Sequence, residues 1–262
     1  MIPVSNIIAF SVALILTTAF PAVLLIILAI KKRITGLPLL FGVLAFLISQ
    51  VLIRLPLMGI LANHLWYQQF ATMVVPFIIF TAFTAGLFEE SARLGGALLL
   101  KKQRNYKDII SFGLGHGLCE VVAIVGLAHV NNILFSLAIN NQGADNDLVA
   151  LTLGSLPPQT LSILTEQLIA ATPSLVAIGI LERFGAVAFH IFATFLIFKG
   201  VITHQKLRYY ILAILAHTAA NAITLFVFRA AGPIVAVTVL LLLGFAMGWY
   251  VWKQRKVLPD GI

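Results

Sequence analysis

Glu89, Glu90 and Arg93 stand in the stretch GLFEESARLGG, inside an apolar run that extends from Phe70 to Leu100. Three histidines, His116, His190 and His217, and two further acids, Glu120 and Glu182, lie in other apolar runs, and Asn221 follows His217 by four residues. Ionisable groups held in hydrocarbon are costly, so each is a functional candidate. A carboxylate in such a place can take a proton from water, and an adjacent imidazole can orient that water or take the second proton. A further histidine with an asparagine one turn along offers donors to an oxyanion forming on an attacked amide carbonyl. That set suffices for peptide hydrolysis without a covalent nucleophile or a metal.

Spacing supports a shared site. Glu90 is 11 residues from Lys101, and His116, His190 and His217 are each 9 residues from a basic residue at a helix end, Lys107, Lys199 and Arg208. At a rise of 1.5 Å per residue, all four lie roughly 13 to 17 Å from those ends. Glu89 with Arg93, His116 with Glu120, and His217 with Asn221 are i, i+4 pairs, each on one helix face. Glu182 and His190, eight residues apart, share a face, and Arg54 or Arg183 is the expected counter-ion of Glu182. Gly86, Gly95, Gly96, Gly113, Gly115 and Gly117 are expected to permit close helix approach. His64, His129 and His204 fall outside this layer.

The elements that must position these groups follow from composition. Of 262 residues, 61% are hydrophobic and 10% charged, and mean hydropathy is +1.05, outside the range of soluble domains. About 20 apolar residues cross roughly 30 Å of hydrocarbon. The pattern predicts seven spans, near 5–30, 37–62, 71–100, 108–130, 174–198, 208–228 and 232–252. The expected fold is therefore an all-α, polytopic membrane helical bundle, one integral membrane domain over 1–262. The first span is expected to be a retained helix. Of the 17 basic residues, 13 cluster beside helix ends at every second connection, which accounts for the net charge of +8 and argues against nucleic acid. By the positive-inside rule the amino terminus is outside and the carboxyl terminus cytoplasmic. The outer-side connection 131–173, with Asp145, Asp147 and Glu166, is expected to carry an interfacial helix in LSILTEQLIAATP. Cys119 is the only cysteine, which excludes intrachain disulfides and thiolate clusters. Gly113-Leu-Gly115-His-Gly117 has no preceding strand and is not a dinucleotide fingerprint.

Glu89-Glu90-x-x-Arg93, Phe112-x-x-x-His116 and His217-x-x-x-Asn221, on three motif helices, resemble the glutamic intramembrane endopeptidases, which include the type II CAAX prenyl proteases and bacteriocin-processing relatives. The two residues between Glu90 and Arg93 are nearer the PrsW-type spacing than the three usual in CAAX enzymes. With GHGLCE, ERFGAVAFH and HTAAN in order, the whole chain looks most like the bacterial YhfC branch. The resemblance implies an all-helical membrane protease without a cofactor. Carried over, Glu89 would activate water with His116, Glu90 would support the site with Arg93, and His217 with Asn221 would form the oxyanion site. Glu120, Glu182 and His190 lie outside this three-motif core and are supporting candidates. The implied substrate is a membrane protein or lipidated peptide, in the plasma membrane of a bacterium.

Other readings of the same residues stand beside this one. His116, His190 and His217 could hold zinc, since three histidines plus water form an accepted catalytic zinc site. Glu89, Glu120, Glu182 and the histidines could form the relay of a proton-coupled transporter. A non-catalytic scaffold would leave the polar layer without a chemical task.

Overall fold

The structure is a computed structural model, and it describes residues 1–141, 149, 152–154 and 156–256. Asp145 and Asp147, which belong to the expected outer-side segment, lie outside the described residues. The described residues are nearly all helical and include no strand. The protein is a polytopic helical membrane protein, and among the described residues six helices are long and apolar enough to cross a bilayer.

The elements, in chain order, are α1 (Val4–Ile30), α2 (Gly36–Ala62), α3 (Leu65–Thr72), α4 (Val74–Leu99), α5 (Tyr106–Asn140), α6 (Pro158–Ala170), α7 (Pro173–Ile202) and α8 (Lys206–Lys253). Two of them carry wider π-helical turns, Leu47–Arg54 within α2 and Val121–Gly126 within α5. Such turns shift the register of a face and recur at functional sites. The third expected span is present as α4, preceded by the separate short helix α3, and Pro76 sits in the first turn of α4, where its missing N–H has no intrahelical role. The fourth expected span continues to Asn140, so residues 131–140 are helical and do not belong to an irregular connection. The helix expected within 161–173 is present as α6.

The count of seven spans meets six helices because α8 has 48 residues. A straight helix of that length would extend roughly 72 Å, more than twice the hydrocarbon thickness. It is not straight. Gly232 has φ +83, a conformation glycine alone adopts freely, and Pro233 follows, so the helix breaks there. Lys199 Nζ lies 5.6 Å from the centroid of the Tyr209 ring and 5.8 Å from that of Tyr250. The two ends of α8 thus return to one place, as a helical hairpin whose arms match the sixth and seventh expected spans.

The chain divides into two compact units, Met1–Leu24 with Val121–Leu181, and Leu25–Glu120 with the chain from Glu182 onward. In the first, Phe10, Ala138, Leu168 and Val176 form the core, and the Asn6 amide donates to the carbonyls of Leu168 and Ile169 at 3.0 Å each. In the second, Ile109, Phe112, Phe195, Phe198 and Ala213 are buried together. Every polar residue of the expected site belongs to this second unit.

Candidate active site

Adjacent residues on an α-helix point about 100° apart, and α4 uses that rotation to send Glu89 and Glu90 to different neighbours. Glu89 Oε1 accepts from the Gln50 amide at 2.7 Å. Its Oε2 is 2.9 Å from His116 Nε2, 3.8 Å from His190 Nδ1 and 4.0 Å from Arg93 Nη2. Glu90 is fully buried and pairs with Arg93, one turn on, while His217 Nδ1 lies 2.9 Å from the same oxygen. The closer partner of Arg93 is therefore Glu90, at i+3, and not Glu89 at i+4. The guanidinium also reaches His190 Nδ1 at 3.1 Å.

A second line of charges approaches from α5 and α7. His190 Nε2 is 2.6 Å from Glu120 Oε2, Glu120 Oε1 accepts from Arg183 at 3.2 Å, and Arg183 reaches Glu182 at 2.6 Å. Arg183 is thus the partner of Glu182. Arg54, the other expected counter-ion, instead donates to Gln50 Oε1, Thr84 Oγ1 and the Thr81 carbonyl.

Close helix approach makes these contacts possible. The carbonyl of Leu39 would stand 2.2 Å from a Cβ at Gly115, so α2 could not lie where it does against a larger residue. Gly86 faces the Cβ of His217 and Gly117 that of His190, at 3.1 and 3.3 Å from an added Cβ. Gly95 has open space around it and takes no part, contrary to the expectation for that position.

The sequence-predicted residues are brought together as follows. The ring centroids of His116 and His190 are 4.9 Å apart, and those of His190 and His217 5.8 Å. Glu89, Glu120, Glu182, His190, His217 and Asn221 line a cavity of about 300 Å³. His116, Glu90 and Arg93 are buried behind it. Gln50 escaped the sequence reading, although Gln50-x-x-x-Arg54, an i, i+4 polar pair in an apolar span, was the signal that could have found it.

Ligand atoms of Glu89, His116 and His190 all lie within 4.8 Å of one another. One carboxylate and two imidazoles are an established zinc donor set, and Glu120 behind His190 gives the carboxylate–histidine backing that orients metal ligands. The donor chemistry fits a divalent cation. Of the expected three-histidine set, His116 and His190 belong to this group, while His217 Nδ1 is turned toward Glu90.

Residues 15–253 match the model of a family described as YhfC intramembrane metalloprotease. The chain belongs to this YhfC family. A relative from Bacillus subtilis (strain 168), described as uncharacterized membrane protein YhfC, is 31% identical over 144 residues, 55% of this chain and 54% of that protein. The match thus spans about half the length of each. No solved structure matches the chain.

Proposed function

We propose that this chain is an intramembrane endopeptidase that hydrolyses a peptide bond of a membrane-associated protein or lipidated peptide, using a divalent cation such as zinc held by Glu89, His116 and His190. The observation that carries this reading is the convergence of those three ligand groups at the cavity end, and the family's description as intramembrane metalloproteases agrees with it. When bound, such a cation polarises a carbonyl and makes water more acidic. Glu120 fixes the ring of His190 by accepting from Nε2. An ionised carboxylate only accepts, so Glu90 keeps the proton of His217 on Nδ1 and leaves Nε2, 3.8 Å from Glu89 Oε1, free to exchange protons with water in the cavity. Asn221, one turn along, offers its amide to the carbonyl oxygen of the substrate. Glu90 balances the charge of Arg93, which otherwise would repel a cation.

One observation favours a second, metal-free reading. The Arg93 guanidinium lies 3.1 Å from His190 Nδ1, where it competes for the lone pair a cation would use. Glu89 would then draw the proton from water itself, steadied by His116, as in glutamic proteases. In either reading the setting is the plasma membrane of a bacterium, with the basic clusters on its cytoplasmic side.

Metal content and cleavage, measured together on purified protein, separate the two. The metal reading expects about one zinc per chain, its loss in His190→Ala, and activity abolished by a chelator and restored by zinc. Full activity in metal-free protein would overturn it and leave the glutamic reading. Cleavage that survives both Glu89→Gln and chelation would overturn both.

A further inference from the structure

Arg54 is the charge in the cavity wall that the chemistry above does not use. Arg183, the other cavity arginine, is neutralised by Glu120 and Glu182. The partners of Arg54 are all neutral, and none of the ion pairs among the described residues includes it. A guanidinium has five N–H groups; its three contacts use Nε and one hydrogen on each terminal nitrogen, which leaves one donor on Nη1 and one on Nη2. Two donors on neighbouring nitrogens can pair with the two oxygens of a carboxylate. A cation inside an apolar span without an acidic partner is costly, and such residues mark ligand or ion sites.

Its position is also set relative to the reacting groups. Gln50 bridges the two, accepting from Arg54 at 3.1 Å and donating to Glu89 at 2.7 Å. Both Gln50 and Arg54 stand on the π-helical turn of α2. Threonines 81 and 84 of α4 hold the guanidinium from the other side, so it is fixed in place before any ligand arrives.

We infer that Arg54 is a substrate-anchoring residue that binds a carboxylate of the peptide, and so sets where the chain is cut. This rests on the peptidase reading. With one side-chain amide between anchor and Glu89, a bound carboxylate stands roughly two or three extended residues, at about 3.3–3.6 Å each, from the scissile bond. The carboxylate comes either from the carboxyl terminus of the substrate or from an aspartate or glutamate side chain. The cavity, about 300 Å³ with Ala82, Ala85, Ala186 and Ala220 in its wall, accepts a short extended segment.

The test uses the full-length protein in detergent and an acetylated five-residue alanine–leucine peptide in three forms: free acid, carboxyl-terminal amide, and the amide with one internal aspartate. Binding and cleavage are both measured. Wild type should bind one or both carboxylate forms about 10- to 100-fold more tightly than the plain amide. Preference for the free acid alone identifies the terminal carboxylate, and equal preference for the aspartyl amide identifies a side chain. Arg54→Gln should bring the ratio to within about twofold of unity, and Arg54→Lys should restore part of it. Equal binding of acid and amide by wild type overturns the inference whether or not the variants fold, and so does a preference that survives Arg54→Gln. Because binding is read without hydrolysis, loss of this inference differs from loss of the peptidase reading, in which Glu89→Gln cleaves as well as wild type.

Discussion

Glu89 and Glu90 are consecutive, identical in side chain and almost equally buried, at 5% and 0% exposure, yet the protein treats them differently. Glu89 faces the cavity, and its carboxylate is shared among Gln50, His116 and the edges of His190 and His217. Glu90 faces the closed interior, where Arg93 and His217 hold it. The contrast shows that in this layer burial alone does not separate the two carboxylates. Access to the cavity does: one carboxylate is available to a ligand and the other fixes the parts around it.

The largest effect should come from breaking the cavity side. Glu89→Gln removes the charge but keeps the shape and the contact to Gln50, so cleavage should fall by about a thousandfold or more, while unfolding measured in the same detergent barely changes. A stability loss as large as that of Glu90→Gln would erase the distinction. Glu90→Gln leaves Arg93 buried and without its partner, and should lower stability by about 3–5 kcal/mol; denaturant unfolding of the solubilised protein checks this. His190→Ala is next. It should lower metal content and cleavage together while the helical circular dichroism signal stays near wild type, because His190 belongs to the cavity wall. Glu182→Gln sharpens the comparison from the rim: its side chain is 28% exposed and Arg183 keeps Glu120, so stability should change by only about 1 kcal/mol, with metal content unchanged. Zinc loss in Glu182→Gln would mean that the rim charges reach the site.

Much of this site was legible in the sequence because the relevant geometry is internal to single helices. The rise of 1.5 Å per residue places Glu90, His116, His190 and His217 in one layer, and the i, i+4 rule puts His217 with Asn221; both line the cavity. The break between the last two spans was carried by Gly232 and Pro233, whose backbone limits are local properties. Tertiary structure alone decided which faces meet. No local rule says that His217 turns to Glu90, that Arg54 looks to Thr81 and Thr84 while Arg183 reaches Glu120, or that Glu89 joins His116 and His190. Those choices depend on the rotation of one helix against another, fixed where Gly115 lets α2 approach α5 and where the wide turn of α2 brings Gln50 to Glu89. Depth in a membrane is a sum along one chain segment and can be counted from sequence, whereas azimuth is a relation between segments and appears only when they pack.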